Sequence, residues 1–271
     1  MEGIGVMKYY FPFGQTLNRV EQSDQTNKDV FVLGVYASAV HAKWTKDGKQ
    51  ICQALAVASE PYIFWDGNID EAEEVISKIS IPKEAGELQA SHNRFNGPSG
   101  RVLIENILMP LGYSRESAWL CDLVPESRIN NNQKKVIDKN YNPLIDKLGL
   151  NEVSIPASSN INIDEVRIKE ITEEIVKSQA KVLILLGDEP IKRYLKQVVK
   201  KLPFRDLNEY TDMFGYGNKI KVEIEGHTID IIPLAHPRNI GELGKHSTRW
   251  CIEHKRWEKS LSTYNEDMNN N

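Results

Sequence analysis

Short apolar runs separated by helical patterns dominate the chain. Three apolar runs predict buried strands: residues 29–36, 118–124 and 181–187. The first is nearly continuous and rich in β-branched residues, which is typical of a central strand of a parallel sheet. Residues 54–58 predict a weaker further strand. Near the C-terminus, alternating residues at 220–224 and a run at 228–232 flank Glu225-Gly226, which predicts a hairpin with one solvated face.

Helical periodicity fills the intervals between these runs. Asp188-Glu189-Pro190 combines a capping residue, an acid and a proline near the first helical position. Apolar residues then recur along one face, so the sequence predicts a helix over 188–202. Further helices are predicted at 70–79, from Leu103 up to Pro110, and at 164–178.

Strands that alternate with helices indicate an α/β protein, here a three-layer α/β/α arrangement with a central, mainly parallel sheet. We expect a single domain of this kind over residues 1–262 and a polar, disordered tail over 263–271. Open parallel sheets bind ligands at the carboxyl ends of their strands. Functional residues are therefore expected where the predicted strands end.

Composition excludes some classes of protein. Of the 271 residues, 40% are hydrophobic and 27% are charged, as in ordinary globular proteins. The net charge of −4 excludes a strongly basic protein held on nucleic acid by bulk charge alone. No apolar run approaches the roughly 18 residues that cross a bilayer. Because the chain also does not begin like a secretory signal, we expect a cytoplasmic protein without membrane contact.

Four segments that follow predicted strands carry candidate chemistry. They contain residues 34–41, Asp122, Gly187-Asp188 and His236-Pro237. Each residue alone has an ordinary structural explanation, such as close packing, a helix cap or a turn. The topology brings all of them to one rim of the fold, however, and convergent polar residues at such a rim favour a binding or catalytic site.

Longer stretches around these segments share the order and spacing of a known family. Residues 94–103 read Arg-Phe-Asn-Gly-Pro-Ser-Gly-Arg-Val-Leu, a Phe followed by a Gly-x-x-Gly-Arg-x-Leu helix start. Residues 111–125 combine a glycine, a strand and a polar base-reading position, 181–190 form a strand-to-helix turn, and 231–237 end in His-Pro. Together they resemble the uracil-DNA glycosylase superfamily over about residues 30–240.

The resemblance implies the fold of that superfamily, an enzyme that flips a base out of DNA, and a role for each matching position. Gly34 to Ser38 would form the water-activating loop, and Phe95 would stack on the flipped base. Asp122 would read the base edge, and His236 would face the base oxygen or leaving group. The base-binding candidates are Gly34, Val35, Phe64, Phe95 and Asp122.

Several positions depart from the family pattern. Val35 and Tyr36 stand where active members carry a carboxylate or amide, and neither can act as a general base near neutral pH. Ala37 replaces the usual proline, and Asp122 replaces the usual asparagine. An ionised aspartate only accepts hydrogen bonds, so it would suit a base that offers amino groups, such as cytosine, adenine or guanine, rather than uracil.

A catalytic member would need a replacement for the missing carboxylate. Asp66 is one candidate, but Phe64-Trp65 could equally belong to the core, and Asp66 could cap the helix at 70–79. The other catalytic candidates are His236, Tyr36, Ser38 and His41. Iron–sulfur members of the family need four cysteines, and this chain has three, so we expect no cluster. The three cysteines lie far apart without a CxxC pair, so we also expect no disulfide framework, and we expect no cofactor.

Positive charge gathers at 192–201 and at 245–259, the second stretch interleaved with Trp250 and Trp257. In the family, the loop after the His-Pro motif wedges into DNA, and Ile240 stands at that place. The DNA-contact candidates are Arg238, Asn239, Ile240, Lys245 and Arg249. A solvated helix face is the alternative explanation for residues 192–201.

Three functions follow from these observations. The first is a DNA glycosylase that acts on a modified or mismatched base, with single-stranded or damaged duplex DNA as its partner. The second is an inactive member of the same fold that binds nucleic acid, a free nucleobase or a nucleotide. The third is a hydrolase of free nucleosides or nucleotides, for which the basic stretches would be solvated faces.

Overall fold

The computed structural model describes residues 8–159, 161–243 and 246–269. They form two compact units, each assembled from three segments of the chain. The small-sheet unit comprises residues 8–20, 37–97 and 126–159, and the parallel-sheet unit comprises 21–36, 98–125 and the described residues from 161 onward. The single domain that the sequence predicted over residues 1–262 spans both of these units.

Eight strands lie in the described residues: β1 (Val30–Tyr36), β2 (Ala39–Lys46), β3 (Lys49–Ser59), β4 (Glu87–Ala90), β5 (Ala118–Val124), β6 (Val182–Leu186), β7 (Ile220–Ile224) and β8 (His227–Leu234). In the parallel-sheet unit, five of them form a sheet in the order β5-β1-β6-β8-β7, parallel except for β7. This sheet confirms the predicted α/β class and the mainly parallel central sheet.

The helices, in chain order, are α1 (Ile69–Ser77), α2 (Pro98–Val102), α3 (Asn131–Val136), α4 (Asn142–Leu148), α5 (Glu165–Ser178), α6 (Lys196–Val198), α7 (Leu207–Phe214), α8 (Pro237–Ile240) and α9 (Thr248–Asn269). Wider π-helical turns span Leu103–Leu108, Ile137–Tyr141 and Pro190–Leu195. Tighter 3-10 turns span Pro12–Gly14, Lys83–Ala85, Asn93–Phe95 and Met109–Leu111.

In the parallel-sheet unit, the chain reverses its direction of winding at β1. This strand pairs with β5 on one side, where Gly34 lies opposite Asp122, and with β6 on the other. The sheet continues to β8, where Leu234 lies opposite Leu186. All residues of β5 and β6 are buried, which explains why all of them except Asp122 are apolar. Ligands of such sheets bind at the carboxyl ends of the strands beside the reversal, here β1 and β6.

The small-sheet unit has an antiparallel sheet in the order β3-β2-β4, together with α1, α3 and α4. Its core contains the ring of Phe13, whose centroid lies 5.6 Å from that of Trp44 and 5.1 Å from that of Tyr141, both edge-to-face. The backbone N–H of Phe13 donates to the Tyr141 hydroxyl at 3.0 Å. Aromatic edge contacts and this hydrogen bond therefore join three distant parts of the unit's sequence.

Some predicted elements differ from the structure in extent or conformation. Residues 54–58 form a strand as predicted, but they are part of the longer β3 of the antiparallel sheet. The helix predicted over 188–202 ends at Val198, because Val199 is extended. Gly34 to Tyr36 are the last residues of β1, in agreement with the strand predicted over 29–36, so only Ala37 and Ser38 of the proposed water-activating loop lie beyond the strand. Helix α9 continues to Asn269, through most of the tail predicted to be disordered, because no glycine or proline interrupts it.

A buried arginine joins α5 to β5 in the parallel-sheet unit. Arg167 donates from Nη2 to the carbonyl of Asp122 at 2.7 Å and from Nε to the carbonyl of Leu123 at 3.2 Å. Its Nη1 pairs with Glu170 at 2.9 Å and with Glu174 at 3.3 Å. Because the Arg167 side chain is only 10% exposed, these acceptors satisfy a charge that would otherwise be costly to bury.

We expect Arg167→Ala to lower the free energy of unfolding by about 3–5 kcal/mol, because it leaves buried carbonyls and carboxylates without their donor. Lys169→Ala, two positions along the same helix, removes an ion pair whose side chains are 76% and 67% exposed. That control should change stability by less than about 0.5 kcal/mol. Urea unfolding of both variants measures the difference, and equal effects would contradict the bracing role of Arg167.

Candidate functional site

Asp122 lies inside β5 and is 3% exposed. Its carboxyl accepts a hydrogen bond from the N–H of Val35, next to the Gly34 that it faces across the sheet. Burial raises the pKa of Asp122 from its ordinary value of 3.8 to about 7, although the positive charge of Arg167 and the Val35 N–H act in the opposite direction. The side chain therefore changes its protonation state near neutral pH.

His236 follows β8 and caps α8. Its Nδ1 accepts the N–H of Arg238 at 3.1 Å. Burial and the neighbouring positive charge of Arg238 lower the pKa of His236 to about 4. The ring is therefore neutral at physiological pH, and because Nδ1 accepts a hydrogen bond, the ring proton is on Nε2. His236 can act as a neutral hydrogen-bond donor through Nε2–H.

The backbone after β6 approaches His236 closely. Gly187 has a φ of +88°, and a Cβ atom there would lie 3.2 Å from the Cβ of His236. Its N–H donates to the carbonyl of Leu234 at 2.7 Å. A larger residue would be strained by its φ and crowded by the histidine, so glycine at this position allows the ends of β6 and β8 to lie together.

The end of β1 contributes backbone and one aromatic side chain to this edge. Gly34 and Val35 are buried, whereas Tyr36, the last residue of the strand, is 38% exposed. The strand has no carboxylate or amide side chain. The sheet thus brings Gly34, Val35 and Asp122 together on adjacent strands, and the contact with Gly187 holds His236 at the end of β8.

The other base-binding and catalytic candidates belong to the small-sheet unit. Ser38 precedes β2, and its carbonyl accepts the hydroxyl of Ser127. His41 lies in β2, where its N–H and carbonyl bond the side chain of Asn96 at 2.7 and 3.1 Å. Burial lowers the pKa of His41 to about 4, so its ring is also neutral at physiological pH.

The two aromatic candidates of the small-sheet unit differ in exposure. Phe95 is half-buried, and the guanidinium carbon of Arg94 lies 4.6 Å from its ring centroid. Phe64 is 8% exposed, which agrees with its alternative explanation as a core residue. The carboxylate of Asp66 accepts the hydroxyl of Tyr62 at 3.1 Å and does not cap α1, because Asn68 is the capping residue.

The DNA-contact candidates are only partly available at the surface. Ile240 is 7% exposed, so it cannot serve as the predicted wedge without leaving the core. Arg238 is exposed, and Asn239 accepts the N–H of Ser247 at 3.0 Å. Arg249 pairs with Asp212 at 3.3 Å. Lys245 lies outside the described residues.

Acidic neighbours accompany several of the basic residues. Within 192–201, Lys192 pairs with Asp188 at 3.0 Å and Arg193 with Glu189 at 3.1 Å, each one helical turn earlier. Near the C-terminus, Lys255 pairs with Glu242 at 3.7 Å. The positive charge that is concentrated in the sequence is therefore partly compensated in space.

Sequence reasoning missed Arg167. The signal was available, because the buried face of α5 also contains Ile171 and Ile175, and Arg167 precedes them at the same spacing of four. An arginine on an apolar helical stripe indicates a buried, hydrogen-bonded cation. Its carbonyl partners in β5 could not be read from the sequence.

Comparison with models of protein families and with curated proteins yields no match for this chain. Cys52, Cys121 and Cys251 are free thiols. Among the described residues, no group of three or more His, Cys, Asp or Glu side chains is arranged to hold a metal ion. No helix in that part of the chain is both long and apolar enough to span a membrane.

The raised pKa of Asp122 predicts a pH-dependent stability. Between pH 3.8 and about 7 the folded protein holds the Asp122 proton more tightly than the unfolded chain, so ionisation destabilises the fold as pH rises. Because one pKa unit corresponds to about 1.4 kcal/mol, ionisation of Asp122 lowers the free energy of unfolding by about 4 kcal/mol at most. Urea unfolding of the wild type and Asp122→Asn should diverge as pH rises from about 4 to about 8, with the variant more stable at the upper end. Parallel pH profiles would contradict the shift.

Proposed function

We propose that this protein is a nucleobase-recognising N-glycosyl hydrolase with the fold of the uracil-DNA glycosylase superfamily, acting on a base flipped out of DNA. The observation that carries the proposal is His236, a neutral imidazole that follows the last parallel strand and can donate from Nε2. The order of the parallel strands and the His-Pro pair after β8 support the same conclusion.

The chemistry of base release matches this donor. When the bond between C1′ and the base nitrogen breaks, its electron pair moves to the base. Water adds to C1′ of the sugar and releases a proton to solvent, and the base anion takes up a proton from solvent. The negative charge that develops on a base oxygen is stabilised by a fixed donor, which need not transfer its proton. A histidine with a pKa of about 4 suits this role, because it donates a hydrogen bond while it stays neutral.

Asp122 would read the edge of the base. When ionised it only accepts hydrogen bonds, which suits amino groups, as on cytosine or adenine. When protonated it both donates and accepts, as an asparagine does, which suits the O4 and N3–H of uracil. A pKa of about 7 makes both states accessible near neutral pH.

A second candidate function is non-catalytic binding of DNA, a free nucleobase or a nucleotide. The side chains of β1 favour it, because Gly34, Val35 and Tyr36 include no carboxylate or amide that could activate water. Such a protein would keep the donor at His236 and the reader at Asp122 and would bind a base without cleaving it.

Oligonucleotides with single modified bases, treated with alkali to reveal abasic sites, distinguish the two functions. Wild-type protein should release at least one base. His236→Asn keeps the helix cap but removes Nε2–H, and it should slow single-turnover release by about 10²–10³-fold. His227→Asn, an exposed histidine at the start of the same strand, is the matched control and should retain the wild-type rate.

The outcomes separate the functions cleanly. Release that survives His236→Asn would overturn the role of this donor. Binding of a modified oligonucleotide without release of any base would favour the non-catalytic function, and absence of both binding and release would overturn the two together.

The proposed reader predicts a base preference that depends on pH. For the wild type, the affinity for uracil-containing oligonucleotides relative to cytosine-containing ones should fall from about pH 6 to about pH 8, as Asp122 ionises. Asp122→Asn cannot ionise, so its relative affinity should stay constant over that range. Fluorescence anisotropy at matched ionic strength measures both, and a pH-independent preference in the wild type would contradict the reading role.

A further inference from the structure

The N–H of Ala235, the residue before His236, has no hydrogen-bond acceptor within the sheet. The N–H of Asp230 donates to the carbonyl of Lys181, and the carbonyl of Leu234 accepts from the N–H of Gly187. The N–H and C=O groups of the even-numbered residues of β8 therefore face β6. The odd-numbered groups face β7, whose pairing with β8 ends at Ile231. Pro233 has no N–H to satisfy. The buried N–H of Ala235 is therefore a donor that needs a partner from outside the sheet.

Tyr216 supplies that partner and extends it into a chain of hydrogen bonds. Its hydroxyl accepts the Ala235 N–H at 2.9 Å and lies 2.7 Å from Nδ1 of His254. Nε2 of His254 lies 2.9 Å from the carbonyl of Asn106. A carbonyl only accepts, so Nε2 carries the imidazole proton, Nδ1 accepts, and the Tyr216 hydroxyl donates to it. Every hydrogen bond in the chain then has one direction.

Helix α9 holds the Tyr216 ring in place. Trp250, His254 and Trp257 recur at spacings of four and three, so they share one helical face. The Tyr216 ring stacks on Trp250 with centroids 5.9 Å apart and meets His254 and Trp257 edge-on at 5.7 and 6.3 Å. A Cβ on Gly217 would lie 2.3 Å from the Trp257 indole nitrogen, so this close approach requires glycine. Because these contacts hold the Tyr216 ring, they also fix the position of its hydroxyl.

Burial keeps the chain neutral. It raises the pKa of Tyr216 and lowers that of His254, so the phenol stays protonated and the imidazole stays uncharged. The carboxylate of Glu258, 3.9 Å from Nε2 of His254, favours the charged imidazole but is engaged by the side-chain amide of Asn106 at 3.0 Å. Because every group in this chain of hydrogen bonds is neutral and has a fixed role as donor or acceptor, the chain can hold the Ala235 N–H in one position.

We propose that Tyr216 and His254 are positioning residues for His236. They hold the Ala235 peptide on the side of β8 opposite β6, while Gly187 holds the Leu234 carbonyl on the β6 side. The backbone entering His236 is fixed from both sides, and this sets the place from which Nε2–H donates. The effect on base release rests on the proposed function, whereas the effect on the state of His236 does not.

Three variants and a matched control test the chain. Tyr216→Phe keeps the ring and removes the hydroxyl. His254→Leu removes the acceptor for that hydroxyl, and His254→Asn restores an acceptor close to the position of Nδ1. The control is Tyr194→Phe, which removes another fully buried hydroxyl of the same unit, bonded to Thr172 at 2.9 Å and remote in sequence from β8.

The first measurement needs no substrate. Nitrogen-15 NMR of the histidine rings reports which His236 nitrogen is protonated, and hydrogen exchange reports protection of the Ala235 amide. Tyr216→Phe and His254→Leu should speed exchange at Ala235 by about tenfold and shift the His236 ring signals from the wild-type Nε2–H pattern. His254→Asn should restore both. If Tyr216→Phe and His254→Leu resemble Tyr194→Phe in both measurements, the inference is overturned.

The second measurement uses an oligonucleotide that the wild type cleaves. Tyr216→Phe should slow single-turnover base release by about 10–100-fold and change the dissociation constant of the oligonucleotide less than about threefold. Equal losses in rate and affinity, or losses matched by Tyr194→Phe, would contradict a positioning role. If the wild type cleaves no oligonucleotide, the proposed catalysis fails, while the NMR result still decides the inference.

Discussion

The parallel-sheet unit depends on the hydrogen bonds that the buried guanidinium of Arg167 donates to β5. An arginine carries its charge at every physiological pH, and this one is held by carbonyls of β5 and by carboxylates of its own helix. It fixes the strand at one edge of the parallel sheet and lowers the cost of ionising the neighbouring Asp122. The pKa of that carboxyl is a balance between burial, which is stronger, and this positive charge.

Much of the parallel sheet could be predicted, because strands buried on both faces have almost continuous apolar sequences. β1, β5 and β6 are almost continuous apolar runs, and the hairpin of β7 and β8 shows its alternation and its turn. The antiparallel sheet was harder to predict. Its strand β3 begins exposed and ends buried, so residues 54–58 looked like a short strand of unknown pairing. Pairing partners depend on contacts between distant segments, which no local pattern contains.

The strands that carry Asp122 and precede His236 were predictable, but the chemical states of these two side chains were not. Topology places Asp122 beside Gly34, yet the pKa of Asp122 depends on burial and on Arg167, which sequence reasoning overlooked. The proton of His236 is set by the N–H of Arg238, two residues on, and by desolvation. Ile240 was predicted to be a wedge from its order along the chain alone, and its burial could be known only from three-dimensional packing.

The permanence of the Arg167 charge has a consequence for the whole edge of the sheet. When a buried carboxyl group ionises, the hydrogen bonds that it makes to the neighbouring backbone change. Here the strand is tethered through the peptide carbonyls of Asp122 and Leu123 to a cation that does not titrate. A change in the protonation of Asp122 therefore changes the hydrogen bonds that its carboxyl group can make, while the bonds from Arg167 to the backbone of β5 do not depend on it.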